Sequence, residues 1–154
     1  GRSPATDPGD RLALNGMGSF EWDLRSGRVT TDPAALALFD VEPAEFAGTA
    51  DGLAVRVRPE DAARLRETVT GVLEEGGDTY GAYFTVHRRD GRDQWTHTSG
   101  RVLRGGDGQP DRIAGIVRDA AAELAHATLL RKLEAARAQQ TTIVQRTTEA
   151  LSRA

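Results

Sequence analysis

Apolar and polar residues alternate through much of residues 79–119, and this period of two predicts three consecutive strands. In the first strand every second residue is apolar, namely Tyr80, Ala82, Phe84 and Val86. An Asp-Gly turn at Asp90 and Gly91 leads into a second strand over 94–103, and a glycine-rich turn leads into a third over 112–118. Three strands joined by hairpins can form the centre of an antiparallel sheet.

The same alternation marks a strand near the start of the chain. Over residues 17–24 the side chains of Phe20, Trp22 and Leu24 alternate with polar ones. A Ser-Gly turn then leads to a partner strand over 29–31. Together the two regions predict five strands.

The middle of the chain has helical spacing. Asp32 followed by Pro33 is a strong helix start, with a capping side chain and a proline in the first turn, and it predicts a helix over 34–39. Two shorter helical turns are predicted over 43–46 and 51–57.

A longer helix is predicted over 60–75, where two acidic residues in the first turn suit the helix dipole and a Gly-Gly pair ends the pattern. Its apolar residues recur at helical spacing, and they are Ala62, Leu65, Val69, Val72 and Leu73. The order of elements indicates an α+β fold with helices on one face of an antiparallel sheet.

Residues 120–154 contain no Gly or Pro and are rich in Ala, Leu, Glu, Arg and Gln, which predicts one long helix of roughly 50 Å. Its apolar residues form two overlapping seams. The first seam is Leu130, Leu133, Val144 and Leu151, and it is interrupted by Arg137 and Gln140. The second seam is Leu129, Leu133, Ala136, Ile143 and Ala150, and it is interrupted by Gln140 and Thr147. This spacing favours a parallel coiled coil, and a helix that folds back over the sheet is the alternative.

These patterns divide the chain into three parts. Residues 1–9 are predicted to be a flexible segment, and Asp10 is a candidate helix cap. A folded domain is expected over 10–119, and the long helix over 120–154.

An ordered series of residues resembles the C-terminal half of a PAS domain of a bacterial subgroup. The series is Phe84-x-Val86-x-Arg88-x-Asp90-Gly91, then Trp95, then Gly108-x-Pro110, then Ile113-x-Gly115-Ile116-Val117-x-Asp119. The segment 18–24 is similar to the opening strand of the family, and 58–61 is similar to the motif before its longest internal helix. The resemblance implies a PAS-like five-stranded antiparallel sheet with helices on one face, followed by a signalling helix.

Composition limits the classes of partner. The 154 residues carry a formal net charge of −3 with both signs interspersed, which argues against a nucleic-acid partner. There is no Cys, so disulfides and zinc–thiolate sites are excluded. No apolar run is long enough for a membrane span. We therefore expect a cytoplasmic module.

No catalytic or metal-binding constellation is evident, and the chain is not expected to be an enzyme. The three histidines, His87, His97 and His126, fall in three different predicted elements without ligand spacing. The Ser-Gly pairs lack the context of a hydrolase nucleophile, and no helix follows the glycine-rich turn to receive a phosphate.

The PAS resemblance implies a ligand pocket between the helices and the inner face of the sheet. Carried over by position, its residues are Phe20, Trp22, Leu36, Phe39, Phe46, Leu53, Phe84, Val86, Ile113 and Val117. The alternative is that these side chains pack against one another as ordinary core. The pattern leaves open which faces of the sheet Trp95 and His97 occupy.

The cofactors of the family are disfavoured residue by residue. Light-sensing relatives use a Cys beside the flavin and a Gln in the last strand, whereas this chain has no Cys and reads Gly115-Ile116-Val117-Arg118-Asp119 there. Haem-binding relatives mostly use a His in the long internal helix, and 60–75 contains none. Two alternatives remain, a small and largely apolar ligand or no ligand at all.

The resemblance also implies a sensory and dimerisation module of a multidomain bacterial signal-transduction protein. Asp119 would lie at the signal junction, although Ala121 stands where the family has Thr. A homodimer is expected through residues of the long helix, namely Leu129, Leu130, Leu133, Ile143, Val144 and Leu151. The output domain would follow in a longer chain and be a PP2C-type phosphatase, a histidine kinase or a cyclic-dinucleotide enzyme. The alternative function is a structural dimerisation and spacer module with a packed core and no ligand.

Overall fold

The computed structural model describes residues 14–153. Its elements in chain order are β1 (Met17–Asp23), β2 (Val29–Thr31), α1 (Pro33–Phe39), α2 (Ala50–Leu53), α3 (Pro59–Glu75), β3 (Thr79–His87), β4 (Asp93–Arg104), β5 (Pro110–Asp119) and α4 (Ala121–Ser152). The predicted flexible segment 1–9 and the candidate cap Asp10 lie outside the described residues.

The five strands form one antiparallel sheet in the order β2-β1-β5-β4-β3. Sequential hairpins join β3, β4 and β5, but β1 pairs with β5, the strand furthest from it along the chain. This arrangement confirms the predicted fold, a PAS-like five-stranded sheet followed by a long C-terminal helix.

The start of α1 is capped as the sequence predicts. Asp32 accepts a hydrogen bond from the backbone N–H of Ala35 at 2.8 Å. Its other carboxylate oxygen accepts from the backbone N–H and the hydroxyl of Ser19, each at 3.1 Å. One side chain therefore both starts the helix and fixes it to β1.

The core lies between the inner face of the sheet and the helices α1, α2 and α3. Phe84 and Val86 of β3 and Ile113 and Val117 of β5 are fully buried in it. The rings of Phe39 in α1 and Phe84 stack with their centroids 5.4 Å apart. The helices therefore pack against both the edge strand β3 and the central strand β5.

The free edge of β3 is covered by the segment that leads into α3. The backbone N–H of Arg58 donates to the carbonyl of Thr85 at 3.1 Å, and the N–H of His87 donates to the carbonyl of Arg56 at 2.7 Å. The carboxylate of Asp61 accepts from the N–H of Thr85 at 2.8 Å, and the side chain of Arg64 donates to the carbonyl of Tyr83. The second half of this edge strand, from Tyr83 to His87, thus has hydrogen-bond partners within the chain.

The chain divides into two compact units after Ala120, and α4 makes up the second. It is a helix of 32 residues in which none of the described side chains is buried. Among the described residues no helix combines the length and the apolar character needed to cross a membrane.

Candidate ligand-binding site

A cavity of about 430 Å³ lies between α2, α3 and the inner face of the sheet. That volume falls in the range of small-molecule sites in proteins. Its lining is Phe20, Trp22, Leu24, Val29, Phe39, Ala50, Asp51, Leu53, Ala54, Ala62, Leu65, Arg66, Val69, Thr70, Leu73, Tyr80 and Thr98. Most of these side chains are apolar, so the site favours an apolar occupant.

The helical wall of the cavity comes chiefly from α3. Leu65, Val69 and Leu73 are four residues apart, so successive turns of the helix bring their side chains to the same face. Because α3 has a proline in its first turn and a left-handed glycine, Gly76 (φ 73°), directly after its last residue, its length is well defined.

The sheet wall of the cavity contains a row of four paired residues. Tyr80 pairs with Gly100, Gly100 with Gly115, and Gly115 with Phe20. A Cβ atom on Gly100 would lie 2.4 Å from Cε1 of Tyr80, and one on Gly115 would lie 2.2 Å from Cζ of Phe20. The two rings therefore lean over the two glycines from opposite sides, and a larger residue at either position would have to displace the ring above it.

Few polar groups line the cavity. The hydroxyl of Thr98 donates to the backbone carbonyl of Ile116 at 3.3 Å. The hydroxyl of Tyr80 makes no hydrogen bond to any described residue, and burial raises its pKa to about 12. Asp51 and Arg66 are exposed and form an ion pair at 3.4 Å, which places them at the mouth of the cavity.

Four of the ten predicted pocket residues line this cavity, namely Phe20, Trp22, Phe39 and Leu53. Four others are fully buried core residues and do not reach it, namely Phe84, Val86, Ile113 and Val117. Leu36 and Phe46 lie at a separate, shallow depression beside β2. Most of the sheet-derived residues in this prediction are therefore packed in the core and do not line the cavity.

Sequence reasoning missed several lining residues. The sequence pattern places Leu65, Val69 and Leu73 in the apolar stripe of the long helix and Tyr80 in a strand, and it does not mark them as pocket residues. Thr98 had no signal, because a threonine in a strand is ordinary. The helical period alone marks the first three as candidates, since that face must meet the sheet.

Trp95 and His97 lie on the outer face of the sheet, away from the cavity. The ring of Trp95 stacks on Tyr83 with centroids 5.3 Å apart, and the ring of His97 lies 4.5 Å from that of Tyr83. Burial and, to a smaller extent, the charge of Arg118 lower the pKa of His97. No cluster of three His, Asp or Glu side chains suited to a metal ion occurs within residues 14–153.

The junction residue Asp119 is the last residue of β5. Ala120 follows it, and the N–H of Ala120 donates to the carbonyl of Trp95 at 2.8 Å, which continues the ladder between β4 and β5. The first helical residue of α4 is Ala121.

A family model described as the PAS fold matches residues 28–117, which is more than half of the chain. The chain belongs to the PAS family. Because PAS domains are sensory rather than catalytic, this membership agrees with the lack of a catalytic constellation in the sequence.

Solved structures of other PAS-type domains share the fold. A sensory box histidine kinase/response regulator from Burkholderia thailandensis is 24% identical, with a TM-score of 0.62 over 84% of this chain and 97% of that one. The N-terminal domain of a diguanylate cyclase with PAS/PAC sensor from Marinobacter aquaeolei is 20% identical, with a TM-score of 0.60 over 70% and 97%. An RNA-binding Light-Oxygen-Voltage receptor is 17% identical with a TM-score of 0.61 over 82% of this chain, which covers 34% of that protein. No curated protein matches the sequence significantly.

The lining of this cavity offers few hydrogen-bonding partners to a group such as flavin. The polar edge of a flavin ring needs several hydrogen-bonding side chains, whereas the hydroxyls that line the cavity are those of Tyr80, Thr98 and the exposed Thr70. The lining residues instead suit an apolar molecule.

Proposed function

We propose that this PAS domain is a sensory and dimerisation module that holds a small, largely apolar ligand and relays its bound state to an output domain. The cavity of about 430 Å³ between α3 and the sheet is the observation that carries the proposal. A structural spacer would be packed at the density of a protein interior, with few voids larger than a water molecule. The size and apolar lining of the cavity favour a sensor.

The proposed relay runs through β5. The cavity is lined by Phe20 and Trp22 of β1 and by Thr98 of β4, and β5 pairs with both of these strands. A ligand that shifts the β1 or β4 side of the cavity therefore acts on the central strand. Because β5 continues through Asp119 and Ala120 directly into α4, a change in its position would be passed to that helix.

The proposed dimer forms through α4 of two chains. Leu129, Leu133 and Ile143 are among its exposed large apolar residues, and a helix with such a seam is stabilised by pairing with a second copy. The output domain in the longer chain would be a histidine kinase, a cyclic-dinucleotide enzyme or a PP2C-type phosphatase.

Native and denaturing mass spectrometry of freshly purified protein, with an absorbance spectrum, tests the ligand directly. We expect a bound mass that is lost on denaturation. Ala62 lines the cavity and its neighbour Ala63 is exposed, so Ala62→Trp and Ala63→Trp form a matched pair on one helix. The first variant should lose the bound mass because its ring fills the cavity, and the second should keep it.

Two results would contradict this function. A bare chain mass in the native spectrum of the wild type would favour the spacer module with no ligand. A bound mass retained equally by both tryptophan variants would place the ligand outside this cavity.

A further inference from the structure

The chemistry of the cavity lining restricts the ligand beyond its size. Tyr80 leans over Gly100 on the inner face of the sheet, within the row that also contains Gly115 and Phe20. Its hydroxyl lacks a hydrogen-bond partner among the described residues, yet no described side-chain polar atom is both fully buried and unsatisfied. The hydroxyl therefore remains accessible, and the cavity is lined by the same side chain.

The hydroxyl of Tyr80 is protonated at neutral pH. Burial raises the pKa of Tyr80 to about 12, so the phenol keeps its proton and can donate it. The lining has two other hydroxyls: that of Thr98 already donates its proton to the carbonyl of Ile116, and that of Thr70 belongs to an exposed residue of α3. Among the lining residues that are not exposed, Tyr80 thus carries the one hydroxyl whose proton makes no hydrogen bond to a described residue.

The charges at the cavity are balanced. Arg66 and Asp51 form an ion pair with each other, and no other charged residue lines the site within the described chain. Moving an ion from water into this apolar lining would cost free energy that no unpaired charge offsets. The lining therefore disfavours an ionised ligand.

We infer that the cavity binds a neutral, largely apolar molecule that carries an oxygen acceptor, such as a carbonyl or ether, and that Tyr80 donates a hydrogen bond to that oxygen. This inference rests on the proposed sensory function and names the chemical class of its ligand. Phe20 and Tyr80, the two rings over the glycines, form the surface on which the apolar part lies.

Three probes of similar shape test the inference: 2-acetylnaphthalene, which is neutral with a carbonyl, 2-ethylnaphthalene, which lacks the oxygen, and 2-naphthoate, which is an anion. Binding is followed by NMR through the methyl groups of Leu53, Leu65 and Val69. In Tyr80→Phe we expect about fivefold weaker binding of 2-acetylnaphthalene and little change for 2-ethylnaphthalene, because only the first loses a hydrogen bond. We expect 2-naphthoate to bind most weakly.

The second tyrosine provides the control. Tyr83 lies on the outer face of the sheet, so Tyr83→Phe removes the same group without touching the cavity and should leave both affinities unchanged. Two results would show that the ligand class is wrong while the cavity remains a binding site. In the first, both neutral probes bind in the cavity and Tyr80→Phe changes their affinities equally. In the second, 2-naphthoate binds more tightly than either neutral probe. If neither neutral probe shifts the cavity methyl groups, the ligand-binding function itself fails, and this inference with it.

Discussion

Gly18 is the position at which β1 has the least room for a side chain. A Cβ atom there would lie 2.3 Å from the backbone N and 2.4 Å from the Cα of Ala35 in α1. At Gly100 and Gly115 the nearest atoms belong to aromatic rings that can turn, whereas at Gly18 they belong to helical backbone. The close approach of α1 to the sheet therefore requires glycine.

We expect Gly18→Ala to reduce the free energy of unfolding by about 3 kcal/mol, because α1 must move away from β1. Gly71→Ala is the matched control in α3, where a Cβ atom meets nothing within 4 Å. This control should gain about 0.5–1 kcal/mol from better helix propensity. Urea unfolding measures both, and wild-type stability of Gly18→Ala would disprove the close approach.

Asp40 joins the end of α1 to the hairpin between β3 and β4. It is the only non-glycine residue with positive φ (56°) within 14–153, and its side chain is nearly buried. It accepts hydrogen bonds from the backbone N–H of Arg89 at 2.8 Å and from the guanidinium of Arg89 at 2.9 Å. These bonds, with a smaller contribution from the charge of Arg88, hold the pKa of Asp40 well below its usual range.

We expect Asp40→Asn to lower the free energy of unfolding by about 2 kcal/mol at pH 7, since Asn tolerates the left-handed backbone but loses charged hydrogen bonds. A lowered folded-state pKa gives stability that is present above the unfolded pKa of about 4 and is lost as the pH falls below it. The difference between wild type and variant should therefore shrink from pH 5 downwards.

Unfolding curves at several pH values test this expectation. The exposed Asp78, whose ion pair with Arg104 spans 3.9 Å, provides the control Asp78→Asn, which should change stability by less than about 0.5 kcal/mol at any pH. A constant difference between wild type and Asp40→Asn across the acid range would contradict the role given to the ionised carboxylate.

At the scale of elements, the sequence predicts most of the fold because its local signals agree. The Asp32 cap, the Gly76 stop and the alternation through β3 each mark an element that the structure contains. In β4 the sequence predicts the strand but not the face that is buried. Its inner face carries Thr96 and Thr98, and its outer face carries aromatic rings. Hydropathy therefore could not decide which face of β4 is buried.

One buried carboxylate takes part in covering the edge of β3. Asp61 is buried and accepts from the N–H of Thr85, so Asp61→Ala leaves a buried donor without a partner. We expect a loss of about 1–3 kcal/mol and faster hydrogen exchange at the Thr85 amide. Asp61→Asn keeps an acceptor and should retain most of the protection. Unchanged exchange at Thr85 in the alanine variant would show that Asp61 does not protect this amide.

At the scale of the whole molecule, the cavity could be predicted only in part. The row that joins Phe20 to Gly115 and Gly100 to Tyr80 exists because β1 pairs with β5, about a hundred residues away along the chain. No local pattern reveals which glycine lies under which ring. For the same reason the predicted Phe84 and Ile113 fall in the packed core instead of the cavity lining.

The two apolar seams of α4 differ in what they would bury between two copies. The first seam includes Arg137, a charge that a coiled-coil core would have to desolvate. The interruptions of the second seam, Gln140 and Thr147, are polar but uncharged. Burial of the second seam is therefore less costly, and it is the stronger candidate for the dimer interface.

Ile143 and Val144 separate the two seams experimentally. They are adjacent in α4 and almost equally exposed, at 63% and 64%, but Ile143 belongs to the second seam and Val144 to the first. We expect Ile143→Glu to weaken dimerisation by about tenfold or more, because it places a carboxylate in the apolar core, and Val144→Glu to have a much smaller effect. Sedimentation equilibrium measures both constants, and removal of the residues after Asp119 should abolish the dimer. The reverse order of the two variants would assign the interface to the first seam, and a dimer that survives the truncation would mean that the domain itself forms the contact.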